Sequence, residues 1–169
     1  FSGGPSSGLY ASRDGGTTWK KVVSAGLPTS PVGKIDVAIA PSNAKRVYAL
    51  IQTSNQGSVW RSDDGGNSWK VTSWNRMLIG RAGYYIRLAV SPKDADEVLV
   101  ANSSFFRSKD GGLTFNLERW GGDTHDIWYD PTNADRFALT DDAGAHITND
   151  HGKGWTQVSL PNGQMYHVA

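Results

Sequence analysis

Five side chains toward the C-terminal end carry the most versatile chemistry in this sequence: Asp123, His125, Asp126, Asp141 and Asp142. Four carboxylates and an imidazole drawn together can hold a hard cation such as Ca²⁺, shift a carboxyl pKa for acid catalysis, or cross-link loops by hydrogen bonds. A carboxylate pair about 5–5.5 Å apart suits retaining glycoside hydrolysis, and one about 6.5–9.5 Å apart suits inverting hydrolysis. Asp123, Asp126, Asp141 and Asp142 are therefore the catalytic candidates. A single imidazole among carboxylates does not make a zinc centre, which takes more nitrogen or sulfur ligands. No cofactor is expected, and Ca²⁺ is the one ion the cluster would suit.

A second stretch has the chemistry of recognition. Trp74, Arg76, Met77, Leu78, Ile79 and Arg81 lead into Tyr84 and Tyr85. An aromatic, apolar loop with two arginines fits a partner-binding or sugar-binding surface. It equally fits a loop packed over its own strands. Trp74, Arg76, Arg81 and Tyr84, together with His125, are the binding candidates.

A third set of carboxylates recurs. Ser62-Asp63-Asp64-Gly65-Gly66-Asn67-Ser68-Trp69 returns as eight-residue copies starting at Ser12, Ser108 and Thr148, with starts 50, 46 and 40 positions apart. Each copy places an Asp, a Gly and an aromatic in the same order: Asp14, Gly16 and Trp19; Asp64, Gly66 and Trp69; Asp110, Gly112 and Phe115; Asp150, Gly152 and Trp155. The glycine permits φ > 0 where a hairpin reverses, and the carboxylate accepts turn N–H groups. The first Ser or Thr is expected to bond the opposite strand, and the aromatic to wedge between sheets. Carboxylates spaced around a repeat do not converge on one ligand, so these are folding devices.

The elements that must position all these residues follow from a second, interleaved repeat. A short apolar strand, a Pro-containing turn and another strand occur at 35–50, 87–100 and 127–139. Joined to the boxes, they give units of four antiparallel strands, A to D. Four-stranded units repeating every 40–50 residues or so are the signature of β-propeller blades. The expectation is an all-β propeller segment of about three and a half blades. It comprises a half blade over 1–24, blades over 33–73, 84–120 and 124–160, and the start of another at 165–169. Propellers close with about four to eight blades, so no closed ring is expected from these residues alone, and further blades are expected in additional sequence. The D–A and B–C loops should lie on the face opposite the C–D turns. There Asp123, His125 and Asp126 would meet Asp141 and Asp142.

Composition narrows the partners. The formal net charge is +1 with 17 basic residues scattered along the chain, which argues against nucleic acid. There is no cysteine, so disulfides and thiolate chemistry are excluded. No apolar run reaches the roughly 18 residues of a membrane span, so this segment is not expected to insert into a membrane.

The boxed pattern resembles the Asp-box, or bacterial neuraminidase repeat, found in sialidases, sortilin-type receptors, xyloglucan-active glycoside hydrolases and a photosystem II assembly factor. The fourth copy departs most, with Thr148 first, His151 after the Asp, and Gly154 in place of a hydroxyl residue. The longer order of Gly8-Leu9-Tyr10, Val37-Ala38-Ile39-Ala40-Pro41, Gly83-Tyr84-Tyr85 and His125-Asp126 is similar to large secreted tandem-propeller proteins of bacteria, labelled sortilin-like or glycosyl hydrolase. This resemblance implies an extracellular, periplasmic or cell-surface setting. The expected function is a non-catalytic binding or assembly module presenting loops to a protein or glycan partner. The alternative is a glycoside hydrolase using a carboxylate pair. The sialidase arginine triad has no counterpart, because Arg76, Arg81 and Arg87 fall in one unit.

Overall fold

A computed structural model describes residues 3–29, 31–158 and 165–169. Its strands fall where the repeats put them. The first sheet has two strands, β1 (Tyr10–Ala11) and β2 (Lys20–Lys21). The next three sheets are each four-stranded, antiparallel and in simple chain order. One comprises β3 (Ile35–Ile39), β4 (Val47–Ile51), β5 (Val59–Ser62) and β6 (Lys70–Ser73). It is followed by β7 (Arg87–Val90), β8 (Val98–Ala101), β9 (Ser104–Ser108) and β10 (Asn116–Gly122). The last holds β11 (Asp126–Tyr129), β12 (Phe137–Asp141), β13 (Gly144–Thr148) and β14 (Thr156–Val158). Among the described residues, no helix is long and apolar enough to cross a membrane.

The core lies between sheets rather than within one. Tyr48, Leu50 and Val59 of the second sheet meet Leu88, Val90, Val98, Val100 and Phe106 of the third. Leu99 and Phe105 of the third meet Phe137 and Leu139 of the fourth. Strands β4, β8 and β12 are buried throughout, which explains their near-continuous apolar runs. Strand periodicity sends alternate side chains to opposite neighbours, so the second and third sheets are each packed on both faces.

The four boxes fold alike. Gly15 and Gly16, Gly65 and Gly66, and Gly111 and Gly112 all have positive φ; in the fourth box His151 at φ 64 and Gly152 do the same. The box aspartate gathers the turn: Asp64 Oδ1 accepts from Ser68 N at 2.9 Å and Oδ2 from the Ser68 hydroxyl at 2.6 Å. One expectation is corrected here. The leading hydroxyl does not reach the opposite strand but turns inward. Ser62 Oγ donates to Asp64 Oδ1 and accepts from Gly66 N, each at 2.8 Å. Ser12, Ser108 and Thr148 repeat this geometry. The short hydroxyl arm is nearer to its own turn than to any neighbouring strand.

Three boundaries differ from the sequence reading. Tyr84 and Tyr85 belong to a turn, each donating its N–H to Arg81 O, and strand β7 starts only at Arg87. The outer strand of the third sheet runs to Gly122, two residues past the expected 84–120 blade. Segment 165–169 is not assigned as strand, yet Val168 N donates to Asp126 Oδ2 as Leu88 N does to Asp36 Oδ2. Phe1, Ser2 and the 159–160 end of the fourth blade lie outside the described residues.

Candidate functional site

The loops sort onto two rims, as hydrogen bonds between them demonstrate. On one rim the C–D turns touch the A–B turns: Gly65 N donates to Lys45 O, Gly111 N to Asp96 O and His151 N to Asp135 O. On the other, B–C and D–A loops meet. Arg76 Nη2 donates to Thr53 O at 2.5 Å, Asp123 N to Ser103 O, and Met165 N to Asp141 O. The candidate residues all belong to this second rim.

The 73–84 loop is divided between packing and display. A 3-10 turn, Arg76–Ile79, is capped by Asn75, whose side chain accepts from Met77 N. Leu78, Ile79 and Ala82 are buried in the inter-sheet core. Asn102 Nδ2 clamps the turn by donating to Met77 O and Leu78 O at 3.1 and 2.9 Å. Arg76 is turned back onto the 53–57 loop, with further bonds to Thr53 Oγ1 and Gly57 O. The large apolar side chains left exposed on the loop are Trp74, Met77 and Tyr84, beside the exposed Arg76 and Arg81. Arg81 lies 5.9 Å from the Tyr84 ring centre.

Asp123 is the anchor of the adjoining cluster. Its backbone is left-handed at φ 52, and its carboxylate accepts from the Tyr85 hydroxyl and from Arg81 Nε and Nη2 at 3.3 Å each. The Tyr85 hydroxyl and the Arg81 guanidinium, acting against burial, hold the Asp123 carboxyl below its ordinary pKa. Burial and the same carboxylate push the Tyr85 phenol up. His125 is buried between two tyrosines, edge-on to Tyr85 at 5.0 Å and stacked on Tyr166 at 4.1 Å. Its Nδ1 lies 2.8 Å from Met165 O, an acceptor only, so Nδ1 carries the hydrogen. Nε2 thereby faces Asp142 Oδ1 at 3.1 Å.

The other two carboxylates stand apart. Asp141 is buried, accepting from Ala143 N at 2.7 Å and lying 2.7 Å from His146 Nε2. Asp126 accepts from Ile127 N and Val168 N, and it pairs with Arg87 and His167. So the sequence candidates split: Asp123, His125 and Asp142 are brought together, with ligand atoms all within 4.8 Å of one another. Asp126 and Asp141 face other partners. Calcium takes about six to eight oxygens, and this trio supplies two carboxylates, one already engaged by Arg81 and Tyr85. Tyr85, Met165 and Tyr166 complete the cluster without having been singled out from sequence.

No family model matches the chain, and no curated protein matches it. Solved structures do. An ancestral GH74 enzyme superposes with TM-score 0.64 at 18% identity, covering 92% of this chain and 22% of its own. The fold is a partial β-propeller. The GH74 enzyme of Niastella koreensis gives TM-score 0.64 at 18% identity, covering 92% of this chain and 27% of that one. YCF48 from Cyanidioschyzon merolae gives TM-score 0.57 at 20% identity, over 82% and 42%. This propeller arc thus spans about a quarter of the GH74 chains and under half of YCF48. At these identities the likeness concerns fold.

Proposed function

We propose that this chain is a non-catalytic binding module of an exported multi-blade protein, recognising a protein partner through the rim formed by its B–C and D–A loops. The observation that carries this reading is the exposure of Trp74, Met77 and Tyr84 on a loop whose backbone is clamped by Asn102 and by buried Leu78 and Ile79. Aromatic residues, Met and Arg are the types enriched at protein interfaces, and a clamped backbone keeps the ordering cost of binding low. Photo-crosslinking residues placed at positions 74, 77 and 84, with Lys45 on the opposite rim as control, test it. Partner adducts are expected from the loop positions only; equal labelling at position 45 contradicts the reading. Export is tested by fractionating cells that produce the intact protein, with recovery in the cytoplasm as the contrary result.

A glycoside hydrolase is the second reading, favoured by the approach of Asp123 and Asp142 and by the fold shared with GH74 enzymes. Against it, Asp126 and Asp141 are tied into hydrogen bonds, and Asp123 is held ionised by Tyr85 and Arg81. It would leave Asp142 as the acid. Hydrolysis of xyloglucan by the wild type that Asp142→Asn abolishes would establish this reading instead.

A further inference from the structure

Asp123, His125 and Asp142 reach one another from two segments that the fold fixes separately. Asp123 N donates to Ser103 O and His125 N to Thr140 O, while Asp142 directly follows the last residue of β12. Their ligand atoms lie within 4.8 Å of one another. Ligands on opposite sides of one first-row metal ion stand about 4.0–4.4 Å apart, so closing on an ion asks for a movement of under about 1 Å.

Independently of the carboxylates, the His125 ring calls for an electrophile. It is 2% exposed, stacked on Tyr166 and edge-on to Tyr85. Its Nδ1 hydrogen is committed to Met165 O, a backbone carbonyl outside the trio. Nε2 of the neutral ring is then a bare lone pair, and what it faces at 3.1 Å is a carboxylate oxygen, Asp142 Oδ1. Two acceptors so placed have no hydrogen to share. An N and an O ligand at right angles about one ion, each about 2.0–2.2 Å from it, lie about 2.8–3.1 Å apart. A ring N–H held by a backbone carbonyl is also the usual support of a metal-binding histidine.

Asp123 keeps capacity for a further bond. A carboxylate offers about four lone-pair sites. The Tyr85 hydroxyl and Arg81 Nε take Oδ1 and Arg81 Nη2 takes Oδ2, which leaves one site on Oδ2. The Asp142 side chain is 49% exposed and so open to water.

We propose that Asp123, His125 and Asp142 bind a six-coordinate divalent first-row ion of the Mn²⁺ class, with water completing the shell on the exposed Asp142 side. One imidazole with two carboxylates suits such an ion better than Ca²⁺, which takes oxygens, or zinc, which takes more nitrogen or sulfur.

The test uses the purified chain, stripped with chelator and titrated with MnCl₂ in the absence of any partner, with free Mn²⁺ read by electron paramagnetic resonance. One bound ion per chain is expected, with ¹⁴N coupling from the His125 ring and a thermal midpoint that rises with Mn²⁺. Asp142→Asn, at an exposed position, should weaken binding at least about tenfold and remove both the coupling and the rise. Exposed carboxylates elsewhere would bind through oxygen alone, so the nitrogen coupling identifies the site. No binding at millimolar Mn²⁺, binding without nitrogen coupling, or equal binding by Asp142→Asn overturns the proposal. A doubly protonated His125 ring whose ¹⁵N signals Mn²⁺ leaves unbroadened also overturns it, because an imidazolium–carboxylate pair then accounts for the approach of Nε2 to Asp142.

Discussion

The hydroxyl at the head of each box and the carboxylate two residues on form a closed hydrogen-bonded turn, and this arrangement fixes how stability responds to acid. The Ser68 hydroxyl, then its N–H, draw the Asp64 pKa down to about 2, and Thr18 does the same for Asp14. At Asp110 burial pushes up but the Thr114 hydroxyl and N–H prevail; at Asp150 the Gly154 N–H leads. A folded-state pKa below the unfolded one means stability that is present above about pH 4 and lost as pH falls toward 2. Unfolding midpoints measured across that range should fall steeply, and Asp64→Asn should flatten the fall; an unchanged slope contradicts the account. Arg107 makes a second residue-scale case. It is buried, ion-paired with Glu97 at 3.2 Å and bonded to His151 O in the next box at 3.2 Å. Arg107→Ala leaves the buried Glu97 short of a partner and should cost about 3–5 kcal/mol in denaturant melts. A loss under about 1 kcal/mol would remove it from the list of inter-sheet ties.

At the scale of elements, one box residue plays unequal parts. Trp69 is 8% exposed and packs with Leu9 and Val22 of the preceding sheet, whereas Trp19 is 62% exposed. Trp69→Ala should therefore destabilise by about 3–5 kcal/mol and Trp19→Ala by under about 1 kcal/mol in urea unfolding. Equal losses would mean that the boxes act locally and not as wedges between sheets. The strands themselves were legible because burial on both faces leaves short apolar runs, and turns leave Pro, Asn, Asp and Gly at fixed offsets. The ties between sheets were not. Arg61 and Arg107, each just before a box, bond the carbonyl of the next box turn at Gly111 and His151. Nothing in strand periodicity reports a contact made by a long side chain across 50 residues, the separation of Arg61 and Gly111. The Tyr84-Tyr85 turn was missed for the opposite reason: aromatic residues favour strands, but here Arg81 O captures both N–H groups first.

Across the molecule, the box turns and the candidate site occupy different rims. Box turns and A–B turns stitch one rim; the B–C and D–A loops gather Asp123, His125 and Asp142 and display Trp74, Met77 and Tyr84 on the other. The candidate site was half legible. Its residue types and its rim followed from loop order, which brought Asp123, His125 and Asp142 together. The ties that separate Asp126 and Asp141 from them, through Val168, Arg87 and His146, depend on contacts between distant segments that spacing does not encode. The separation of rims is tested most directly by the double substitution Trp74→Ala/Tyr84→Ala, read for thermal midpoint and partner capture on the same samples. The account predicts an unchanged midpoint with capture lost. Capture that persists, or a midpoint that falls along with it, contradicts it.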